Sequence, residues 1–424
     1  MTPHSVPASQ AGPAEPAASG AAGAAPPSPS ARIVTGDFLK LFVAVHFSMN
    51  DMSLYNLLPY YMQLRGVTPH QYGLVAGTAG VATFVCMLLF GRWADRGSRK
   101  ALVLAYLAVC LVGDGVAVLA MHGPWQGYFL CRTLHGAYLG LGFPLVFSWA
   151  VDQCSPRQRY VVLAWMGIAG IFSNSLGPIL AEALLAWQGR AGDPDSFLPV
   201  FLMGSAFSVA AWLMVASARD VPVQGRRSGG LLILVSRRES LLCLLVTFAL
   251  GGMFASLVTF GKNYTIAQEL SFVSVLLVAY SAGAILSRVL IRQIVSRVPE
   301  HRLGGVGLTI LVPAFLLLGF AGNYPALTLS GLLYGLGHGV LYPTLYVRFL
   351  DYQQAGQLGR ASIVFQGAFN VGAGIFLMAG GALVQRAGFS VYFWLLAAIA
   401  AACIPANAWA EALWRRRTAR ARLA

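Results

Sequence analysis

Charged residues are scarce in this chain of 424 residues. Only 10% of the residues are charged, whereas 57% are hydrophobic, and the mean hydropathy is +0.66. A soluble domain carries about 25% charged residues, because they cover its surface. The shortage excludes an ordinary soluble protein and indicates that the chain's main partner is a lipid bilayer.

Several other signals are missing as well. The six cysteines are isolated in sequence, so they suggest neither a disulfide framework nor a zinc site. We find no nucleophile–base arrangement and no metal-binding spacing, and therefore expect no enzyme, no cofactor and no metal centre. Residues 1–31 lack the basic start and apolar core of a secretory signal, and their Pro, Ala, Ser and Gly predict a disordered cytoplasmic tail.

Positive charge, in contrast, is in excess, with a net charge of +14. A nucleic-acid partner is not expected, because the basic residues occupy short loops between long apolar runs. This distribution is typical of the cytoplasmic loops of a membrane protein.

Twelve apolar stretches have about the length, some 20 residues or more, that a helix needs to cross a bilayer. They are 38–62, 71–91, 101–121, 126–150, 160–187, 197–217, 240–260, 270–291, 303–321, 325–349, 359–384 and 389–413. The sequence therefore predicts an all-α integral membrane protein with 12 transmembrane helices.

Lys and Arg predict the orientation of these helices, since basic loops stay in the cytoplasm. Most basic residues lie in the tails and in the loops after even-numbered spans. The loops after odd-numbered spans hold only Arg65, Arg190, Lys262 and Arg386. Both termini are therefore expected in the cytoplasm, as an even number of spans requires. We expect a multi-pass protein of the bacterial inner membrane.

Two halves of the chain resemble each other at matching places. Leu74–Gly80 in the second span resembles Leu277–Gly283 in the eighth. The fourth and tenth spans share a spaced set of residues, Gly136, Gly140, Pro144 and Asp152 in one and Gly335, Gly339, Pro343 and Asp351 in the other. This repeat predicts two six-helix bundles related by pseudo-twofold symmetry, with substrate bound between them near the bilayer midplane.

The repeat also predicts the domain boundaries. The tail covers residues 1–36, and the first bundle covers 37–217. A basic cytoplasmic linker covers 218–239, the second bundle 240–413, and a basic cytoplasmic tail 414–424.

The loop after the second span carries a motif. It reads Gly91-Arg92-Trp93-Ala94-Asp95-Arg96-Gly97-Ser98-Arg99-Lys100. This segment resembles the loop signature of the major facilitator superfamily, except that Ser98 stands where Gly is usual. The resemblance implies that Gly91, Asp95, Arg96, Arg99 and Lys100 form a cytoplasmic gating loop, in which Asp95 accepts hydrogen bonds from a helix N-terminus and a nearby Arg.

Two further segments support the resemblance, which covers residues 37–413. Arg132, four residues before Gly136, is similar to the family's second motif, and it has either a structural ion-pair role or a role in coupling or substrate binding. Gly177-Pro178 resembles the third motif, which marks the drug and metabolite antiporter branch. Ala181 and Glu182 depart from the glycine pair that usually follows.

Ionisable groups inside the predicted spans are candidates for function, because charge in a bilayer is costly. They are Asp51, Asp114, Arg132 and Glu182, all in the first half. We expect one of the two aspartates to pair with Arg132. The other, for which we favour Asp51 near mid-depth, would bind a proton. The alternative is that Asn50 or Ser48 holds Asp51, which then only packs the bundle.

A cavity between the halves is expected to be lined by polar and aromatic residues. In the superfamily, helices 1, 2, 4, 5, 7, 8, 10 and 11 line it. The candidates on these helices are Asn50, Tyr55, Phe172, Tyr280, Tyr334, His338 and Phe365.

These features favour a proton-coupled exporter of a small organic molecule, such as a drug, metabolite or siderophore, that works as a monomer. A proton symporter importing a nutrient is the alternative, and His46, Met49 and Met52 raise a copper-type version of it. A transporter-like sensor is disfavoured because the tails are short.

The predicted orientation is testable by labelling single cysteines in a cysteine-free background. In intact cells, a membrane-impermeant maleimide should label Arg190→Cys, whereas Arg226→Cys should require permeabilised cells. Labelling of both positions from the outside would contradict the alternation of loops on which the twelve-span arrangement depends.

Overall fold

A computed structural model describes residues 35–90, 98–154, 159–189, 192–220, 237–270, 274–353 and 358–423. Their regular elements are helices. Residues 1–34 of the predicted tail, residues 221–236 of the predicted linker and the loop residues Gly91, Asp95 and Arg96 lie outside the described residues.

Within the described residues, the first half contains eight α-helices that form six spans. They are α1 (Gly36–Leu54), α2 (Leu58–Leu64), α3 (Pro69–Phe90), α4 (Arg99–Leu119), α5 (Gly127–Ala137), α6 (Phe143–Asp152), α7 (Arg159–Trp187) and α8 (Leu198–Ser217). A 3₁₀ turn at Tyr55–Leu57 joins α1 to α2, which together make the first span. A π-helical turn at Tyr138–Gly142 joins α5 to α6, which make the fourth. Such π turns recur at functional sites.

The second half contains six helices that form the other six spans. They are α9 (Arg238–Ala267), α10 (Val275–Val289), α11 (Ile291–Arg297), α12 (Glu300–Phe320), α13 (Tyr324–Asp351) and α14 (Leu358–Leu423). The last helix is broken at Gly388, whose φ of 84° and ψ of 168° are not helical. Because only glycine adopts this conformation readily, Gly388 separates the eleventh span from the twelfth.

Length and apolarity qualify eight of the described helical segments as membrane spans, and one of these, Ala361–Arg417, is long enough for two. The α1–α2 pair, the short apolar helix α10 and the polar-interrupted helix α13 bring the described spans to twelve. The predicted fold class is confirmed, with boundaries that differ from the prediction by a few residues. The helix of the predicted C-terminal tail continues to Leu423.

Local capping explains where several spans begin. The Thr35 hydroxyl accepts a hydrogen bond from the Phe38 amide at 3.1 Å, and Ser98 caps α4 through the Ala101 amide at 2.9 Å. A side chain that accepts from the first turn of a helix satisfies an amide that would otherwise lack a partner. The Ser98 departure from the usual glycine therefore serves as the N-cap of α4.

Large apolar side chains cover the outer surface of the helices. Leu89 is 60% exposed, Leu213 is 53% exposed and Phe320 is 72% exposed. A soluble protein would bury such a surface, whereas hydrocarbon tails contact it favourably. The exposed apolar belt is therefore the lipid-facing surface.

The repeat seen in the sequence is also a repeat in packing. In the first half, Gly136 lets the fourth span approach α3, and a Cβ at Gly136 would lie 2.7 Å from the Ala82 Cβ. In the second half, Gly335 of α13 approaches α10 in the same way, and its Cβ would lie 2.8 Å from the Ala284 nitrogen. Small residues at matching positions thus set the same close helix pair in each half.

Gly335→Ala should lower the thermal stability of the detergent-solubilised protein. The added methyl would overlap the backbone of α10, and overpacking of this kind costs about 1–3 kcal/mol. Gly305→Ala in α12 is the matched control, because nothing lies within 4 Å of its added Cβ. An unchanged melting temperature for Gly335→Ala would show that the helices separate easily and that the close approach is not required.

Candidate functional site

Three ionisable side chains meet inside the first half. Asp51 comes from α1, Asp114 from α4 and His135 from α5, and each is 0% exposed. His135 Nε2 lies 3.0 Å from Asp114 Oδ1. We call Asp51, Asp114 and His135 the acid cluster.

The protonation of His135 follows from its neighbours. Arg132 Nη1 lies 3.4 Å from His135 Nδ1. An arginine only donates hydrogen bonds, so Nδ1 accepts and Nε2 carries the hydrogen that Asp114 accepts. His135 thus bridges Arg132 and the Asp114 carboxylate through its two ring nitrogens. The sequence predicted a direct pair between Arg132 and one aspartate, and the structure places the histidine between Arg132 and Asp114.

Asp51 is held by different donors. The Ser208 hydroxyl donates to Asp51 Oδ2 at 2.6 Å, and the Cys110 thiol lies 3.4 Å from the same oxygen. Asp51 and Asp114 interact electrostatically, and Asp51 Oδ1 and Asp114 Oδ2 each lack a hydrogen-bond partner among the described residues. Two adjoining carboxyl groups therefore present one unsatisfied oxygen each.

The alternative in which Asn50 or Ser48 holds Asp51 does not agree with the structure. The Asn50 amide donates to the His46 carbonyl at 2.8 Å and lies 3.1 Å from the Ser173 hydroxyl. The Ser48 hydroxyl donates to the Val45 carbonyl at 3.2 Å. The hydrogen bonds that Asn50 and Ser48 donate therefore go to groups other than Asp51.

Two glycines make room for the acid cluster. A Cβ at Gly113 would lie 2.8 Å from the His135 ring, and a Cβ at Gly204 would lie 2.8 Å from Asp51 Oδ1. The Tyr55 ring packs edge-on against His135 with centroids 4.3 Å apart, so this predicted cavity residue belongs to the wall of the cluster. The cluster is sealed on these sides by close packing.

The two halves join at one end of the bundle, which we call the closed end and define by Gln63, His70, Lys262, Asn263 and Gln385. Asn263 Nδ2 donates to Gln63 Oε1 at 2.6 Å, and the His70 amide donates to Gln385 Oε1 at 3.3 Å. Each bond connects the first half to the second.

Lys262 corrects the sequence-based assignment of this residue to a loop. It lies inside α9, is 0% exposed, and its Nζ has no hydrogen-bond partner within the described residues. It interacts electrostatically with Glu182 of α7, in the other half. The predicted membrane acid Glu182 therefore belongs to a contact between the halves and lies apart from the acid cluster.

Helices α3 and α14 form a glycine-rich seam between the halves. A Cβ at Gly80 would lie 2.7 Å from the Gly374 nitrogen, and a Cβ at Gly374 would lie 2.9 Å from the Gly77 carbonyl. A second seam joins α7 to α10, where the Ser175 hydroxyl donates to Ser281 Oγ at 2.6 Å. Small residues let the two halves touch along both seams.

The predicted antiporter element has a packing explanation. Gly177 of α7 faces α1, and a Cβ there would lie 2.9 Å from the Asn50 carbonyl and collide with the Ser53 hydroxyl. Pro178 follows within the same helix. The pair therefore allows the first and fifth spans to approach each other beside Asn50.

The described part of the gating motif ties together the ends of three helices. Arg99 forms an ion pair with Asp152 at 2.9 Å, and Lys100 Nζ donates to the carbonyls of Ala216 and Ala218 at 2.6 and 2.9 Å. These contacts connect α4 to the ends of α6 and α8 within the first half.

The predicted cavity residues of the second half form an aromatic cluster around His338. The His338 ring stacks between Phe254 and Tyr334, with centroid distances of 5.3 and 5.7 Å. The Tyr280 hydroxyl lies 3.4 Å from His338 Nδ1. Phe365 is fully buried against Tyr342 with centroids 5.6 Å apart.

In the first half, Phe172 is 46% exposed and stacks on His46 with centroids 5.8 Å apart. His46 is also bonded to Asn50 and Ser173, since its two ring nitrogens each lie 3.2 Å from one of them. Both ring nitrogens of His46, which a copper site would need as ligands, are therefore in contact with other side chains.

Two residues of the site were missed in the sequence. His135 stands three positions after Arg132, and this spacing places both on one helix face. Lys262 lies near the end of an apolar run, where a basic residue is usually taken for a loop residue.

Comparisons with known proteins agree with the fold. A family model described as the Major Facilitator Superfamily matches residues 41–306 and 244–424. The inner membrane transport protein YajR of Escherichia coli (strain K12) is 30% identical over 146 residues, which cover 32% of this chain and 31% of YajR. This chain thus matches about a third of YajR's length. The multi-drug resistance efflux pump PmrA homolog of Lactococcus lactis subsp. lactis (strain IL1403) is 26% identical over 323 residues, covering 72% of this chain and 76% of the homolog.

Solved structures extend the comparison to nearly the whole chain. The nucleoside transporter NupG superposes with a TM-score of 0.71 and 13% identity, covering 89% of this chain and 99% of NupG. The human organic anion transporter MFSD10 gives a TM-score of 0.65 and 19% identity over 88% of this chain and 99% of that one. Identities this low establish the shared fold alone. With the family match across both halves, these findings show that the chain belongs to the Major Facilitator Superfamily of membrane transporters.

Proposed function

We propose that this transporter exports a small organic molecule in exchange for protons, by alternating access, across the bacterial inner membrane. The acid cluster carries the proposal. It combines two neighbouring carboxyl groups, which are fully buried, and it lies beside the positive charge of Arg132.

The charges of the cluster favour the binding of one proton. With both aspartates ionised, Arg132 positive and His135 neutral, the group would carry a net charge of −1. A buried net charge is costly, and one proton bound between the two carboxyl groups removes it. Asp51 is the better site for that proton, because His135 already donates to Asp114.

Export is supported by two observations. The Gly177-Pro178 pair matches the element that resembles the antiporter branch, and it packs α7 against α1, the helix that carries Asp51. A relative that covers most of this chain is named as a multidrug efflux pump homolog. The names of the other relatives refer to different cargoes, so they support transport without choosing a substrate.

The closed end supplies the gate of the cycle. With both termini in the cytoplasm, the closed end lies on the periplasmic side. To release cargo outwards, the protein must separate Lys262 from Glu182 and Asn263 from Gln63. The acid cluster, where the proton binds, lies between the gate and the cytoplasmic ends of the first-half helices.

Asp51→Asn should abolish proton exchange in inverted membrane vesicles. Vesicles are energised, and an acridine dye reports the proton gradient while aromatic acids, amines and neutral compounds are added in turn. A compound that wild-type protein exchanges for protons restores the dye fluorescence, and Asp51→Asn should remove this response because the amide cannot exchange a proton.

Asp37→Asn is the matched control, because Asp37 starts the same helix but pairs with Lys40 at the surface. It should respond like the wild type. An unchanged response of Asp51→Asn would contradict the assigned coupling site, and compound-driven acidification instead of dissipation would indicate symport.

Lys262→Met should open the closed end. Removal of the lysine ends its electrostatic attraction to Glu182 across the halves. Spin labels at His70→Cys and Arg386→Cys, two exposed positions on opposite halves, measure the separation by electron double resonance. Lys262→Met should increase the fraction of long distances.

The double variant Lys262→Met with Glu182→Gln should give the same distance distribution as Lys262→Met alone, because either change removes the same attraction. If both single variants and the double variant gave the wild-type distribution, the contact would have no role in the gate.

A further inference from the structure

Arg288 is a basic residue inside the second half that belongs neither to the acid cluster nor to the closed end. It lies in the last turn of α10, and α11 continues the chain from Ile291 to Arg297. Its side chain crosses to the first half, where a Cβ at Gly167 would lie 3.0 Å from Arg288 Nη1. Gly167 is eight residues into α7, or about 12 Å from that end of the helix.

The position of Arg288 follows from the α7–α10 seam. Along α7, Ser175, Ile171 and Gly167 follow each other at one-turn intervals. The first two contact Ser281, whose hydroxyl accepts from Ser175 Oγ and donates to the Ile171 carbonyl at 3.0 Å. Arg288 lies two turns beyond Ser281 on the same face of α10 and meets Gly167. The guanidinium is therefore fixed at the boundary between the halves.

Arg288 has no carboxylate partner within the described residues. The ion pairs of the described part of the chain involve other arginines, and the neighbours with which Arg288 interacts electrostatically are Tyr280, Tyr342 and His338. A partly buried arginine at a contact between packed helices is a candidate for binding a counter-charge. The guanidinium is also the one described group within 4 Å of the point where a Gly167 Cβ would stand, so the glycine leaves space beside it.

The groups that follow from Tyr342, an electrostatic neighbour of Arg288, suit an organic anion with an apolar body. The Tyr342 hydroxyl donates to Gln366 Oε1 at 2.7 Å, which leaves the Gln366 NH₂ group available as a donor. The rings of Tyr342 and Phe369 lie 5.5 Å apart, and Phe254 and Phe369 are 5.8 Å apart. A planar guanidinium with amide donors recognises a carboxylate or sulfonate, and the rings hold an aromatic or aliphatic body.

We infer that Arg288 binds the anionic group of the cargo, and that the cargo is therefore an apolar or aromatic organic acid. This inference rests on the proposed transport function. It assigns the two tasks to different halves, with the proton on α1, α4 and α5 and the cargo anion on α10 beside the aromatic cluster. A cationic drug would instead place two positive charges together at this point.

The test compares matched probes that differ in charge. Dansylglycine carries a carboxylate, dansylglycinamide is its neutral counterpart, and dansylcadaverine is a cation. Binding to the purified full-length protein in lipid nanodiscs is followed by dansyl fluorescence, at one pH and without a gradient. Wild-type protein should bind the acid at least about tenfold more tightly than the amide or the amine.

Arg288→Gln should weaken dansylglycine binding about tenfold or more and leave dansylglycinamide binding within about twofold, because only the charge interaction is lost. Arg288→Lys should retain part of the preference for the acid. Arg297→Gln is the matched control, since Arg297 is an exposed arginine at the end of α11, and it should bind like the wild type.

Equal binding of acid and amide by the wild-type protein would overturn the inference without any variant. So would an equal loss of both probes in Arg288→Gln, or the absence of saturable dansylglycine binding. If Asp51→Asn still exchanged protons, the proposed coupling site would be rejected and the Arg288 assignment would stand. If the wild-type protein exchanged protons but did not prefer the acid over the amide, the Arg288 assignment alone would be rejected.

Discussion

The high cost of an isolated charge in a bilayer determines where the polar groups of this protein lie. Within the described spans, Asp51 and Asp114 adjoin each other, Asp114 accepts from His135, and Lys262 faces Glu182 across the halves. Each group lies at a place where helices from different parts of the chain meet. Under the proposed function, binding or release of a proton or cargo at these places changes the contacts between helices. Such a change is how a ligand shifts a transporter between its conformations.

The halves share a packing plan but differ in chemistry. Gly136 and Gly335 set the same close helix pair in each half, so duplication explains the scaffold. The acids of the cluster lie in the first half, whereas Arg288 and the rings around His338 lie in the second. The seam from Ser175 to Arg288 joins the two halves, and its helix α7 also packs against the helix that carries Asp51.

Much of the architecture could be predicted from the sequence, because span length and the glycine repeat depend on local composition. Asp51 and Asp114 were also recognisable, since acids are rare in apolar runs. The contacts were not, because composition does not determine how each helix is rotated. Arg132 was therefore expected to touch an aspartate directly, although His135 intervenes. Lys262 was assigned to a loop because α9 extends beyond its most apolar part.

Infrared difference spectroscopy tests most directly whether the adjoining carboxyl groups share a proton. Near neutral pH, the wild-type protein in lipid should show the C=O stretch of a protonated carboxyl group, which Asp51→Asn and Asp114→Asn should each remove and Glu182→Gln should retain. If the band were missing in the wild type, or persisted unchanged in both aspartate variants, the acid cluster would not be the proton site.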